Sequence, residues 1–329
     1  MDTALIPTGR KRKRLRPPSF LSSYSREASL LGLITLIVVV TSVLYPTFCT
    51  WNNFVAVLNN LATDGILAVG MMLMMVGGVF DLSVGSMVSM AGVVTAWFMK
   101  KGGWPVPAAV VSGLGVAALG GLLNGFVVAR VRVNALITTL GTMLVFHGIA
   151  LRIGGPGIPS LPASFARVGQ AEYLRLQSSV WLMLFIALLF HLFLTHTRFF
   201  RQYYYLGSNP RAARLSGIQV ERLQMLSFVI MGLLAGVAGI AYSARVNTAV
   251  SNVGAGAELR AITAVILGGA SLTGGKGRIV GALGGVLFTG LITNVLIISQ
   301  VSSYWQGIIQ GAVLVLAVAL DSLWTRSRR

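Results

Sequence analysis

Apolar runs, most of them close to the length that crosses a bilayer as a helix, follow one another through almost the whole chain. A transmembrane helix needs about 20 apolar residues to cross a hydrocarbon core of roughly 30 Å. The runs lie at about residues 29–45, 54–76, 83–99, 105–129, 134–153, 179–195, 223–244, 259–274, 279–298 and 303–321. Since 55% of the residues are hydrophobic and 10% are charged, an ordinary soluble domain is excluded. The sequence predicts an all-α integral membrane protein with about ten transmembrane helices.

The basic residues predict the orientation of these helices. Cytoplasmic loops are enriched in Lys and Arg. If both termini are cytoplasmic, 19 of the 26 Lys and Arg residues lie on the cytoplasmic side, while Lys100 and Lys101 lie outside as the weakest point of the assignment. The net charge of +18 is then a consequence of topology in a lipid membrane, and we expect no nucleic-acid partner.

The chain divides into one membrane domain and two basic ends. We predict a basic cytoplasmic tail at residues 1–28, a single transmembrane domain at 29–321 and a basic cytoplasmic C-terminus at 322–329. The first apolar run is followed by Pro46 and by no small-residue cleavage site, so it is predicted to be a retained helix, not a cleaved signal peptide.

The polar interval 196–222 differs most from the rest of the chain, because it carries five arginines against one acid. Within it, residues 209–217 predict a helix of about two turns, roughly 10 Å long. Asn209 suits the N-cap, Pro210 suits the first helical position, and Gly217 is placed to end the helix.

So short a helix is marginal in water on its own, because its first turn is costly to form. Ala212, Ala213 and Leu215 can form one small face, and we expect the helix to persist only if something holds it. Two interpretations stay open. The segment is either a membrane-surface connector, with Arg211 and Arg214 among lipid phosphates, or a docking helix for a soluble partner on the cytoplasmic side.

An acid interrupts the apolar runs at Asp81, and Ser83 follows it closely. One interpretation makes this pair an N-cap of the next helix, because Asp and Ser oxygens accept hydrogen bonds from free backbone N–H groups. The other makes Asp81 part of a gate or pathway, since acids at membrane depth are commonly functional.

The segment 261–278 ends in a glycine-rich stretch that invites comparison with a phosphate-binding loop. Such a loop requires glycine at 270 and serine or threonine at 277, where this chain has Ala270 and Gly277. We therefore predict no ATP binding by this device. We predict a short helix followed by a flexible cytoplasmic turn.

Two further patterns concern packing and loops. Glycines recur four residues apart, which allows close approach of membrane helices. The pairs are Gly121 and Gly125, Gly232 and Gly236, Gly281 and Gly285, and Gly307 and Gly311.

The longest external loop, 154–178, is rich in glycine and proline at its start, which favours turns over regular structure. It is either a seat for an external partner or a plain connector.

Several motifs together resemble the permease subunit of ribose-type ABC sugar importers. They are Phe80–Gly85 (Phe-Asp-Leu-Ser-Val-Gly), Thr139–Thr142, Gly207–Val220, Leu267–Gly281 and Val301–Gln306. The resemblance extends over about residues 30–321, and the C-terminal motif is specific. The chain departs from the family pattern at Val79, where glycine is usual, at Arg260, where an acid is common, and at Thr293-Asn294, where paired asparagines are common.

The resemblance implies that residues 29–321 are a permease domain in a bacterial-type inner (plasma) membrane. It implies cytoplasmic ATP-binding subunits, a periplasmic or extracellular sugar-binding protein, and a second permease that is a copy or a homologue. The subunit itself would be non-catalytic and without a cofactor. The loop 196–222 would be the ATPase-coupling loop, whose coupling helix comprises Asn209, Pro210, Arg211, Ala212, Ala213, Arg214, Leu215, Ser216, Gly217 and Ile218.

Polar groups within the apolar runs are the candidates for the substrate pathway, although each could instead make an interhelical hydrogen bond. They are Asn60, Asp81, Ser83, Asn124 and Asn294.

The alternative function is an ion-coupled secondary transporter of a small polar solute, which requires acids within the spans. Asp64, Asp81 and Glu258 are eligible, but all lie near predicted span ends. A channel and a membrane enzyme are less favoured, because no filter sequence, nucleophile–base pair or metal-ligand spacing is visible.

Overall fold

The computed structural model describes residues 25–326, with the backbone alone at 25–27, 303, 320 and 322–326. The predicted basic tail and C-terminus therefore lie largely outside the described residues. The α-helices are α1 Ser25–Leu44, α2 Trp51–Val76, α3 Val84–Lys100, α4 Val106–Ala129, α5 Ala135–Gly154, α6 Ala163–Gln170, α7 Ser178–His196, α8 Arg198–Ser208, α9 Pro210–Leu215, α10 Val220–Val246, α11 Ala257–Leu267, α12 Ile279–Ile298 and α13 Ser303–Arg326. A 3₁₀ turn covers Pro46–Cys49, and the strands are β1 Ile158–Pro159, β2 Glu172–Tyr173, β3 Leu176–Gln177 and β4 Thr248–Ala249.

Among residues 25–326, six helices are long and apolar enough to cross a membrane: α2, α4, α5, α7, α10 and α12. Shorter apolar helices within α1, α3 and α13 add to them. Large apolar side chains such as Val43, Leu144 and Phe185 are exposed on outer faces, where lipid rather than water suits them. The prediction of an all-α membrane protein is confirmed. The number of ten crossings and the cytoplasmic location of both termini stay predictions.

The second half of α2 lies at the centre of the fold. Nearly every residue from Leu67 to Val76 is fully buried, because α2 packs against α7, α10, α11 and α12. Helix α3 is also buried along most of its length, between α4, α5 and α10. These two helices are therefore enclosed by protein, while α1, α4 and α5 expose apolar faces.

Three of the four glycine pairs make the close helix contacts that their spacing predicts. A Cβ atom at Gly121 would overlap Phe228 O on α10, and one at Gly232 would overlap Ala117 O on α4. A Cβ atom at Gly285 would overlap Ala264 O on α11. The fourth pair, Gly307 and Gly311 on α13, has open space beside it among the described residues.

The predicted apolar run 259–274 is not one continuous helix. Helix α11 has eleven residues and is about 17 Å long, roughly half of the hydrocarbon thickness. It is preceded by the two-residue strand β4 and an irregular segment, 250–256, and followed by glycine-rich turns. Irregular backbone at membrane depth requires satisfied polar groups, and Gly254 N donates to Ser89 Oγ at 3.0 Å. The apolar composition was correctly recognised, but composition alone cannot distinguish a half-length helix from a span.

The loop 154–178 contains more regular structure than predicted. It includes α6, the hairpin of β2 and β3, and β1, which pairs antiparallel with β4. The predicted turn is present at the start of the loop, at residues 155–156. The rest of the loop is more regular than predicted because its elements are stabilised by contacts with distant residues. Phe165 of α6 is buried in a small apolar cluster, and Gly169 packs directly on Ala244 of α10.

Candidate functional site

A cavity of about 250 Å³ lies between α2, α11, α12 and α13. Its apolar wall includes Leu259 and Leu314, and the open glycines Gly307 and Gly311 contribute from α13. Concave sites with an apolar wall and a few convergent polar groups are where small solutes bind. The polar lining consists of Asp64, Arg260, Thr263, Thr289, Thr293 and Gln310.

An ion pair joins α2 to α11 at this cavity. Arg260 Nε donates to Asp64 Oδ2 at 3.0 Å, and Arg260 Nη2 donates to Asp64 Oδ1 at 3.2 Å. This two-pronged geometry matches the planar guanidinium to the planar carboxylate. The side chains are 32% and 23% exposed respectively, so both are partly accessible from the cavity.

The remaining polar groups come mainly from helix surfaces. Thr263 Oγ1 donates to Leu259 O, Thr289 Oγ1 to Gly285 O and Thr293 Oγ1 to Thr289 O, in each case four residues back along the helix. Gln310 Nε2 approaches Thr293 Oγ1 at 3.4 Å from α13.

Two of the predicted pathway residues lie on the helices that form this cavity. Asn60 is exposed on α2, one turn before Asp64. Asn294 follows the cavity residue Thr293 on α12 and exchanges hydrogen bonds of 3.1 and 2.8 Å with Asn53 of α2. Asn60 and Asn294 are therefore neighbours of the cavity lining without being part of it.

The other three predicted pathway residues form a separate buried cluster. Asp81 Oδ1 accepts hydrogen bonds from Ser83 N at 2.7 Å and Ser83 Oγ at 2.6 Å. Asn124 Nδ2 on α4 donates to Asp81 Oδ2 at 3.1 Å and to Ser83 Oγ at 2.8 Å. All three residues are fully buried. Ser83 occupies the N-cap position of α3, but its hydroxyl donates to Asp81 instead of accepting a hydrogen bond from the helix.

The ion pair of Asp64 and Arg260 was not predicted from the sequence as part of a site. Asp64 was considered only as an eligible acid for ion coupling, and Arg260 only as a departure from the family motif. The two residues are 196 positions apart, so no local pattern relates them. A signal was nevertheless present, since two opposite charges within apolar segments are expected to pair.

The helix predicted at 209–217 is present as α9, Pro210–Leu215. Asn209 Oδ1 accepts hydrogen bonds from Arg211 N and Ala212 N, both at 3.1 Å. Pro210 takes the first helical position, and Gly217 follows the helix with φ of +83°. Cap, start and end are as predicted because each depends on neighbouring residues alone.

The small face predicted for α9 is only partly packed against the rest of this chain. Ala213 is buried, but Ala212 is exposed and Leu215 is 90% exposed. Arg211 and Ser216 are also exposed, and Ile218 is partly buried.

Several contacts attach α9 to the membrane helices through α8. Tyr203 Oη donates to Leu223 O of α10 at 3.0 Å, and Tyr204 Oη donates to Gly277 O at 2.9 Å. Burial raises the pKa of both tyrosine hydroxyls, so they remain protonated donors at neutral pH. Arg214 also forms an ion pair with Glu221 of α10.

The family described as "Branched-chain amino acid transport system / permease component" matches residues 53–318. The ribose import permease protein RbsC of Escherichia coli (strain K12) is 41% identical over 90% of this chain and 93% of that protein. The L-arabinose transport system permease protein AraH of the same strain is 34% identical over 91% and 92%. The autoinducer 2 import system permease protein LsrC of Salmonella paratyphi B is 31% identical over 90% and 86%. No solved structure matches.

Proposed function

Because the chain belongs to the family of transport-system permease components, we propose that it is the transmembrane permease subunit of an ATP-driven ABC importer for a small sugar. The observation that carries this proposal is the 41% identity to a ribose import permease over nine-tenths of both chains. The subunit is non-catalytic, and ATP is hydrolysed on a separate ATPase subunit.

The proposed assembly follows from this role. Cytoplasmic ATP-binding subunits dock from the inside, and a periplasmic or extracellular binding protein delivers the sugar from the outside. A second permease, either a copy or a homologue, completes the pathway. The proposed topology has ten crossings of the bacterial inner membrane with both termini in the cytoplasm.

We propose that α9 and its flanks, Asn209 to Ile218, form the coupling helix. Its exposed surface combines Arg211 and Arg214 with the apolar side chain of Leu215, a mixture of charge and apolar area that suits a protein partner. A capped helix that is tied to α8 and α10 can move as a rigid body when the ATPase subunits close.

For the substrate pathway we retain Asn60, Asp81, Ser83, Asn124 and Asn294 as proposed residues. Asn60 and Asn294 are supported by their position beside the cavity. Asp81, Ser83 and Asn124 are fully buried and hydrogen-bonded to one another, although Asn124 Oδ1 has no partner among the described residues. A solute would reach them only if their cluster opened during transport.

The test is co-purification from the native membrane. The intact protein is expected to bring down an ATPase, and a variant with residues 209–217 replaced by a glycine–serine linker is expected to lose it. The variant Asn209→Ser is the matched control, because serine also caps a helix and should retain the ATPase. If a well-folded intact protein brought down no ATPase from cells that express one, the proposal would fail in favour of ion-coupled transport.

The cargo is tested separately, because the family description names branched-chain amino acids. ATP-driven uptake of a radiolabelled pentose by the reconstituted importer supports the sugar assignment. Uptake of leucine with no uptake of any sugar would contradict it.

A further inference from the structure

The cavity between α2, α11, α12 and α13 has a polar lining whose charges cancel. Asp64 and Arg260 are its charged groups among the described residues, and they are paired. We infer that this cavity binds a neutral, polyhydroxylated solute of monosaccharide size, and that the pair of Asp64 and Arg260 is its specificity-determining contact. The inference rests on the proposed function and extends it to named residues and to discrimination against acidic solutes.

The ion pair offers a donor and an acceptor side by side. A guanidinium carries five N–H donors. As far as residues 25–326 show, Arg260 uses Nε and Nη2 on Asp64 and one Nη1 hydrogen on Ala255 O at 3.3 Å, which leaves two donors. The carboxylate retains lone pairs beyond the two bonds that it accepts. Adjacent hydroxyls of a polyol can therefore accept from Arg260 and donate to Asp64 simultaneously.

The threonines add further acceptors. The hydroxyl protons of Thr263, Thr289 and Thr293 are directed to carbonyl oxygens of their own helices. A hydroxyl oxygen that donates its proton still has lone pairs with which to accept. These three side chains therefore offer acceptors to the cavity, which hydroxyl groups of a polyol can satisfy as donors.

The same balance disfavours an anion. The carboxylate of a sugar acid has only hydrogen-bond acceptors where a polyol has hydroxyl donors. Those acceptors would face the Asp64 carboxylate and the threonine oxygens, which are acceptors as well. To bind Arg260 it would have to displace Asp64, which would leave one of two partly buried carboxylates unpaired. A neutral polyol requires no such displacement.

The volume also limits the solute. The cavity volume of about 250 Å³ lies just below the roughly 300–1,000 Å³ that is typical of sites for drug-sized ligands. That volume accommodates one monosaccharide-sized molecule rather than a chain of sugar units.

The site can be tested without ATP by protection of a single thiol. Cys49 is the one cysteine of the chain, so Cys49→Ser removes the background. Gly307→Cys then places a reporter on the cavity wall, where space is open, and leaves all six polar side chains in place. The full-length protein in lipid nanodiscs is labelled with N-ethylmaleimide in the presence of D-ribose or L-arabinose, or of the corresponding acids D-ribonate and L-arabinonate.

At least one neutral sugar is expected to slow labelling, and the acids are not. In Asp64→Asn or Arg260→Gln, half-maximal protection should require about tenfold more sugar or greater, since a hydrogen bond to a charged group contributes about 1.5–3 kcal/mol. Arg152→Gln, at an exposed arginine of α5 outside the cavity lining, should behave as the parent. If the first two variants fail to fold, Arg260→Lys keeps the charge but loses the planar fork and carries the same test.

Equal protection in Arg260→Gln and the parent would overturn the inference, as would equal protection by sugar and acid. Free labelling in the presence of every sugar tested would overturn it too.

ATP-driven uptake is measured separately with the same preparation and its ATPase. Protection without ATP-driven uptake would contradict the proposed function but not the binding site. ATP-driven uptake without protection would contradict the binding site but not the proposed function.

Discussion

Asp81 is fully buried, and its carboxylate oxygens accept three hydrogen bonds from Ser83 and Asn124. Each donor that loses its acceptor in a buried site costs about 1–3 kcal/mol. The variant Asp81→Ala is therefore expected to lower the thermal unfolding temperature of the purified permease in detergent. Asp81→Asn is the matched control, because its Oδ1 can still accept from Ser83, and its loss should be smaller. An alanine variant that unfolds with the parent would show that the cluster contributes nothing to stability.

At the same scale, Arg211 and Arg214 test the coupling role of α9. The double variant Arg211→Glu/Arg214→Glu is expected to uncouple ATP hydrolysis from transport without unfolding the membrane helices, because both side chains are exposed. Uptake and ATP hydrolysis are measured together in proteoliposomes that contain the importer. Normal ATP-driven uptake would exclude the coupling role of these side chains.

The ion pair of Arg214 with Glu221 complicates that test, since charge reversal also breaks it. The swap Arg214→Glu/Glu221→Arg restores the pair with opposite polarity. An exposed pair contributes about 1 kcal/mol or less. If the swap remains uncoupled, the lost contact is to the partner. Recovery in the swap would assign the effect to the intramolecular pair.

At the scale of elements, three segments meet around Gly207 near the end of α8. Gly275 N donates to Val76 O, the last residue of α2, at 2.9 Å, and a Cβ atom at Gly207 would overlap Val76 O. Helix α2 also carries Asp64, and the loop of Gly275 follows α11, which carries Arg260. The two elements that hold the cavity ion pair therefore both contact the segment that precedes α9.

This contact predicts that Gly207→Ala impairs transport. The added methyl group must push α8 away from α2, so ATP hydrolysis should be retained while uptake per ATP falls several-fold, measured in proteoliposomes. Gly141→Ala on α5 is the matched control, because a Cβ atom there meets nothing within 4 Å among the described residues. Equal uptake per ATP in the two alanine variants would show that the close contact at Gly207 does not transmit motion.

These elements also show what the sequence could predict. The ends of α9 were predictable because Asn209, Pro210 and Gly217 act on adjacent backbone groups. The short helix and the turn predicted within 261–278 are present, with α11 ending at Leu267. That the run 259–274 is only half a span could not be predicted, since an apolar run has the same composition whether it is helical or turns at glycines. The ion pair of Asp64 and Arg260 was missed because it depends on how helices 196 residues apart pack together.

At the scale of the whole molecule, the charges at the two ends of α4 predict the orientation in the membrane. Helix α4 has 24 residues and is about 36 Å long, enough to cross the bilayer. Lys101 lies before its start and Arg130 lies after its end, and both are exposed. The positive-inside rule assigns Arg130 to the cytoplasm, because most of the basic residues in all loops then lie on the cytoplasmic side. This excess outweighs Lys100 and Lys101, which the same orientation places outside. Lys100 Nζ donates to Ser160 O at 3.0 Å, so these lysines share a side with the loop 154–178.

In a Cys49→Ser background, Lys101→Cys and Arg130→Cys report the two ends of α4. A membrane-impermeant maleimide added to spheroplasts is expected to label Lys101→Cys directly and Arg130→Cys only after permeabilisation. The reverse pattern would invert the orientation and remove α9 from reach of a cytoplasmic ATPase. Labelling of both from outside would mean that α4 does not cross, so the ten-span topology would fail. The same pair of variants therefore tests the charge argument and the location on which the coupling proposal depends.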